Sequence, residues 1–263
     1  MAPDPLTPWI ERWRLEPDGE PFDSLNGRLA PVRFEGRAAM LKVGRSADEA
    51  RGGRLLEWWN GQGAAPLLAR EADAVLVARA EGSDLAALAR SGRDDEASAI
   101  ICDVVGALHR PRDLPPPEGL PPLRSLFAKL LGAGHADPRL AQAARTAGEL
   151  LAEPRDVVVL HGDMHHENIL DFGEVGWLAI DPWGVIGERA YDYANIVRNP
   201  DLELVCAPGR IERRLELLSA GAGLDRERLR RWSFAHAGLA AVWEIEDKMN
   251  PERSFAVLDR LAG

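Results

Sequence analysis

Three short apolar runs, Val157–Leu160, Ile169–Leu170 and Trp177–Ile180, close around two polar loops, and this arrangement constrains the chain more than any other feature. The first run is continuous and rich in β-branched residues, which predicts a buried strand. Between the second and third, Asp171-Phe172-Gly173-Glu174-Val175-Gly176 supplies the acids and glycines of a turn, so the two runs are predicted to pair as a hairpin. The loop after the first run reads His161-Gly162-Asp163-Met164-His165-His166-Glu167-Asn168, and the loop after the third begins Asp181-Pro182-Trp183-Gly184. Asp163 and Asp181 are thereby expected at the two ends of one hairpin unit, where carboxylates distant in sequence can share a cation.

An Asp followed five positions later by an Asn, with a second Asp just after a strand, is the spacing of a kinase catalytic loop and magnesium loop. Asp163, Asn168 and Asp181 fit those three places. Phosphoryl transfer needs little covalent help, so the protein must chiefly position an acceptor hydroxyl and neutralise phosphate charge. A rival chemistry draws on the same stretch. Imidazole and carboxylate are common zinc ligands, so the cluster from His161 to His166 also invites a metal-dependent hydrolase. The other histidines, His109, His135 and His236, lie in no recognisable ligand cluster.

With 263 residues the chain can bury a sizeable core as one domain or two lobes. Its formal charge of −10 disfavours a nucleic-acid partner and favours a cationic substrate. Cys102 and Cys206 are too few for a disulfide framework. The Pro- and charge-bearing N-terminus lacks the apolar stretch of a signal peptide, and no apolar run approaches the roughly 20 residues of a membrane helix. A cytoplasmic protein is expected.

From Trp9 to about Ala80 the pattern is strand-rich around one helix. Ala30–Phe34 and Ala38–Val43 flank a turn at Glu35-Gly36-Arg37, Asp48–Asn60 reads as a packed helix, and Ala74–Val77 as another strand. Beyond Glu81 the spacing turns helical, over Asp84–Ala89, Glu96–His109, Leu123–Leu131, Pro138–Leu151, Glu188–Arg198, Arg210–Leu218 and Asp225–Met249. The expectation is α+β: a β-rich N-lobe over 1–80 and a larger helical C-lobe over 81–263. Strand alternation turns Lys42 from its apolar neighbours toward the cleft, where it can meet phosphates. Glu49 is the expected carboxylate partner of Lys42, with Glu57 the alternative. Ser24-Leu25-Asn26-Gly27 is a candidate phosphate-covering turn. Asp192 is placed to accept hydrogen bonds from the catalytic-loop backbone, and His161 to pack beneath it. Glu244, Glu246 and Asp247 are candidates for an acidic pocket that takes guanidinium groups, with Trp183 and Trp243 as stacking residues.

The text LHGDMHHENIL (160–170), AIDPWGVIGERAYD (179–192), YANIVRNP (193–200) and, in the flanks, WNGQGAAPLL (59–68) and LHRP (108–111) resembles the aminoglycoside phosphotransferases, in particular the streptomycin 6-kinase and hydroxyurea phosphotransferase branch. The resemblance implies a bilobal protein-kinase-like fold and transfer of the ATP γ-phosphoryl to the 6-hydroxyl of streptomycin. It makes Asp163 the catalytic base or orienting carboxylate, Asn168 and Asp181 magnesium ligands, and Lys42 a phosphate ligand, with adenine received by the backbone of a hinge at Val77, Ala78 and Ala80. Other alcohols or a hydroxyurea-like acceptor remain alternatives. Asp181-Pro182-Trp183 departs from the Asp-Phe-Gly of protein kinases.

Overall fold

Burial alternates from Leu29 to Arg33 and again from Ala38 to Gly44 with the period of two that a half-buried strand requires. The computed structural model describes residues 4–24, 27–45, 47–132 and 134–262, with the side chains of 47–49 outside the described set. Strands β1 (Glu16–Pro17), β2 (Phe22–Asp23), β3 (Gly27–Phe34), β4 (Arg37–Gly44), β5 (Leu67–Glu71) and β6 (Ala74–Ala78) form one antiparallel sheet in the order β1-β3-β4-β6-β5, with β2 also on β3. Phe34 pairs with Arg37, so Glu35 and Gly36 form a two-residue turn. Both have positive φ (51° and 76°), the twist that suits a tight hairpin. Ala39, Leu41 and Val43 point to one face of β4 and, with Val32, Leu76 and Leu6, form a small core covered by Trp9 of helix α1 (Thr7–Arg12), a helix not expected from the sequence, and by Trp13 just after it. Met40 and Lys42 point to the other face, as the alternation predicts.

On that other face lies α2 (Ala47–Trp59), whose Leu55 and Trp59 are fully buried in a second, larger core. Two glycines in mid-helix cost up to about 1 kcal/mol each relative to alanine, and the packing explains them. A Cβ on Gly52 would lie 2.5 Å from the Pro182 carbonyl oxygen, and one on Gly53 would lie 2.9 Å from Val75 and Arg70 side-chain atoms. The connection to the helical half passes Gly82, whose N–H donates to the Asp171 carbonyl at 3.2 Å, while the Asp171 N–H donates to Ser83 at 3.1 Å.

Helices α3 (Leu85–Leu88), α4 (Asp94–Leu108), α5 (Ala128–Gly132), α6 (Pro138–Ala152), α7 (Ala190–Ala194), α8 (Leu202–Cys206), α9 (Arg210–Ala222), α10 (Arg226–Glu246) and α11 (Glu252–Leu261) build the rest of the larger core. The axis of this core is α10, started by the Asp225 side chain accepting from the Arg228 N–H at 2.7 Å and buried over most of its length. Among the described residues no helix is long and apolar enough to cross a membrane.

Strands β7 (Val157–Leu160), β8 (Ile169–Asp171), β9 (Trp177–Ala179) and β10 (Val185–Glu188) carry the loops of interest. The β8–β9 hairpin forms in the expected register, Ile169 opposite Ala179 and Asp171 opposite Trp177. Two expectations are corrected. The run Val157–Leu160 is not wholly buried: it pairs only with β10, Val157 is 52% exposed, and only Leu160 is sealed. The helix expected over Glu188–Arg198 is broken, because Glu188 ends β10 and Asn195–Arg198 tightens into a 3₁₀ turn after α7. Arg228 fixes the Glu188 carboxylate from two nitrogens, both at 2.6 Å, a pairing across 40 residues that no local pattern displays.

Candidate active site

Asp192, 1% exposed on α7, organises the loop after β7. Its carboxylate accepts the N–H groups of His161 and Gly162, each at 2.9 Å, and His109 Nε2 lies 2.8 Å from the same oxygen that His161 uses. Burial pushes the Asp192 carboxyl up, but the hydrogen bond and charge of His109, with the backbone donor, outweigh it and hold the group below the usual carboxylate range. Gly162 has φ of 88°, which only glycine adopts without strain, and this reverses the chain just before Asp163. His161 is fully buried and stacks on Trp59 with ring centroids 6.3 Å apart. Its Nε2 donates to the Ile180 carbonyl at 2.8 Å, so its Nδ1 is left to accept the Asp163 N–H at 3.3 Å. One histidine thus ties the two loops together, in the supporting place expected for it.

Asn168 turns its amide nitrogen to the Asp163 carbonyl at 2.9 Å, which directs its oxygen elsewhere. The Ile180 N–H donates to the Asn168 carbonyl at 2.9 Å and brings Asp181 alongside. Asp181 has φ of 58°, a costly left-handed conformation for a residue with a side chain, and its carboxylate accepts a hydrogen bond from Lys42 Nζ. The Trp183 and Gly184 N–H groups both donate to the His161 carbonyl, at 2.9 and 3.0 Å, and close the turn. Asp163, Asn168, Asp181 and Lys42, drawn from three separate segments, therefore meet at one place between the sheet and the helical half. A cleft of about 420 Å³ opens there, lined by Met40, Lys42, Leu170, Ile180 and Asp181. Ser24, Val77, Ala78 and Ala80 line it too.

Donors suited to a hard divalent cation are carboxylate and amide oxygens with room left for phosphates and water. Asp181 and the Asn168 oxygen fit that description. The histidine cluster does not converge. His166 is fully buried and faces Asp94, with 3.9 Å between His166 Nε2 and the carboxylate, while His161 is committed to Ile180. Among the described residues no group of three His, Cys, Asp or Glu is arranged to hold a metal, so the hydrolase alternative loses its site.

Other expectations change in the same way. Glu57 points outward and accepts from Arg70 at 2.6 Å, so it is not the partner of Lys42. The side chain of Glu49, the preferred partner, lies outside the described residues, as do Leu25 and Asn26 of the phosphate-covering turn. Ser24 closes that turn by accepting the Gly27 N–H at 3.1 Å. The acidic trio on α10 does not assemble. Glu244 is buried, where it accepts from Arg198 at 3.1 Å and Ser254 at 2.6 Å, and Glu246 pairs with Lys129 on the surface. Only Asp247 stays exposed without an ion pair to a described residue. Trp183 meets Trp243 edge to face, with centroids 5.7 Å apart.

Several residues of the site escaped the sequence reading. Asn195 Nδ2 approaches Asp163 Oδ1 at 3.5 Å. Arg51 donates to the Trp183 carbonyl at 2.8 Å from α2. Arg198 is nearly buried, and burial first, then Arg253, push its guanidinium down to about 10. The one local signal was the Gly52-Gly53 pair in an otherwise helical segment.

Solved structures share this architecture. The apo form of a thermostable mutant of aminoglycoside phosphotransferase APH(4)-Ia superposes with a TM-score of 0.68 over 97% of this chain and 98% of that one, at 16% identity. A choline/ethanolamine kinase family protein from Mesorhizobium loti gives 0.65 over 94% and 86%, also at 16% identity. Among curated proteins, a streptomycin 3''-kinase of Klebsiella pneumoniae is 53% identical over 90% of this chain and 91% of its own. A hydroxyurea phosphotransferase of Kitasatospora aureofaciens (99% of this chain, 79% of its own) and a streptomycin 6-kinase of Streptomyces griseus (96% and 87%) are each 32% identical. A profile of the aminoglycoside/hydroxyurea antibiotic resistance kinases matches residues 12–248. By that match and by its likeness to full-length relatives, the chain belongs to the aminoglycoside/hydroxyurea antibiotic resistance kinase family.

Proposed function

We propose that this small-molecule kinase transfers the γ-phosphoryl of ATP to a hydroxyl of streptomycin. The observation that carries the reading is that Lys42 and Asp181 pair in the cleft while Asn168 links the loop of Asp163 to the segment that leads to Asp181. Residues 1–80 serve as the nucleotide lobe and 81–263 as the catalytic and acceptor lobe. Support for ATP comes from the fold neighbours solved with ADP or AMP-PNP, in ternary complexes that also hold hygromycin B. Adenine lies against Met40 and Val77 and bonds to the backbone of Ala78 and Ala80. The Ala78 N–H already donates to Pro66 at 2.9 Å, so its carbonyl and the Ala80 N–H are the groups left for the purine edge. Lys42 steadies the phosphates.

Asp181 and the Asn168 oxygen would hold magnesium, which would neutralise phosphate charge. Asp163 orients the acceptor hydroxyl and accepts its proton as the new P–O bond forms. Its backbone is fixed by Asn168 and His161 and its carboxylate by Asn195, so little reorganisation remains for the moment of transfer.

The position modified is read from the relatives. A 3''-kinase at 53% identity favours the 3''-hydroxyl over the 6-hydroxyl expected from the sequence, since the 6-kinase is 32% identical. Purified protein incubated with Mg²⁺, ATP and a panel of aminoglycosides should add one phosphoryl group to streptomycin, detected by mass spectrometry. Phosphorus-coupled NMR of the product should then place it on O3''. Attachment at O6 would restore the original expectation, and no transfer to any aminoglycoside would end the substrate assignment.

A further inference from the structure

We propose that Trp183 and Trp243, with Asp247, form a cation subsite that grips a guanidinium group of the acceptor. The inference rests on the streptomycin-kinase reading and deepens it. Trp183 stands two residues after Asp181, and a Cβ added to Gly162 would touch the Trp183 Cβ at 3.4 Å, so this side chain flanks the residue next to Asp163. Trp243 reaches the same place from α10. The rings meet edge to face at 63°, and both residues are only half-buried. In such a pair the ring that offers its edge keeps its own faces out of the contact. A partly accessible aromatic pair beside the loop that carries Asp163 suits a planar, weakly hydrated cation.

The acid placement agrees. The Asp247 N–H donates to the Trp243 carbonyl at 2.9 Å, so the carboxylate follows the indole by one helical turn, on the same side of α10. Glu244 and Glu246 are already paired to Arg198 and Lys129, which leaves Asp247 as the acid able to meet an incoming charge. An aromatic wall with a carboxylate at its rim prefers a guanidinium to an ammonium, because the flat cation stacks while its N–H edge meets the acid.

The experiment compares wild type with Trp243→Ala, Trp243→Phe and Asp247→Asn. Initial rates are measured against streptomycin, which carries guanidino groups, and melting temperatures establish that each variant is folded. We expect Trp243→Ala to raise KM for streptomycin at least tenfold, about 1.4 kcal/mol, while KM for ATP moves less than twofold. Trp243→Phe should recover most of the loss, because an aromatic face is restored, and Asp247→Asn should raise KM several-fold. A wild type that phosphorylates streptomycin while folded Trp243→Ala keeps its KM would overturn the subsite and leave the functional reading standing. Equal rises in KM for ATP and streptomycin would overturn it too, since they mark a general packing role. A wild type inactive on every aminoglycoside would remove both.

Discussion

Asp163 owes its position to neighbours that fix its backbone, and its carboxylate meets the side-chain amide of Asn195 at 3.5 Å. Asp192 holds the two preceding N–H groups, His161 accepts the Asp163 N–H, and Asn168 donates to its carbonyl. Substituting the carboxylate should therefore remove proton acceptance without disturbing the loop. Asp163→Asn should lower kcat by roughly 10²–10⁴ with an unchanged melting temperature. Steady-state rates and a thermal melt on the same sample check both halves, and near-normal turnover would take Asp163 out of the chemistry. The sequence placed Asp163, Asn168 and Asp181 correctly within one hairpin unit because their spacing is local. It could not place Asn195 or Arg198, since their nearness to Asp163 depends on how α7 and the following 3₁₀ turn pack.

At the scale of elements, α2 joins the lobes by contact rather than by sequence. Gly52 allows the Pro182 carbonyl to approach the helix axis, and Arg51 fastens the next carbonyl. Two glycine-to-alanine changes separate propensity from packing. In α4, Gly106 has nothing within 4 Å of an added Cβ, so Gly106→Ala should stabilise by about 0.5–1 kcal/mol, the helix propensity difference. In α2 the same gain is opposed by a 2.5 Å clash with a backbone oxygen, and overpacking of this kind costs about 1–3 kcal/mol. Gly52→Ala should therefore be destabilising and raise KM for ATP, because the displaced loop carries Asp181. Urea unfolding of both variants tests the contrast; equal stabilisation of both would mean α2 is not seated on the loop. The acidic residues near the end of α10 teach a related lesson. Their spacing put Glu244 and Asp247 on one face, yet Arg198 and Ser254 reach Glu244 from other elements, and an ion pair made inside the core is invisible to periodicity.

For the whole molecule, the buried histidine under the site sets a pH dependence. His236 is 3% exposed, and burial first, then the charges of Arg198 and His165, push its imidazole well below the usual value near 6.5. In the unfolded chain it takes a proton as pH falls through about 6.5, whereas in the folded protein it stays neutral. The unfolded state then binds more protons, so stability is full above that pH and is lost below it, by up to about 1.4 kcal/mol per pH unit for one histidine. Urea midpoints measured from pH 7.5 to 5 should decline, and less steeply in His236→Gln; parallel slopes would mean His236 protonates in the fold.

The amino-acid sequence by itself determined the β-rich and helical halves, the β8–β9 hairpin, the face of β4 that bears Lys42, and the two loops beside that hairpin that carry Asp163, Asn168 and Asp181. Each of these follows from periodicity or spacing within a few residues, where backbone geometry leaves little choice. The tertiary structure alone decided that His161 is a brace and His166 is buried toward Asp94, that the acids near the end of α10 part company, and that two tryptophans meet beside the residue next to Asp163. Those outcomes turn on which distant side chain arrives to satisfy a buried charge or cover a ring, and only the packed chain brings such partners within bonding distance.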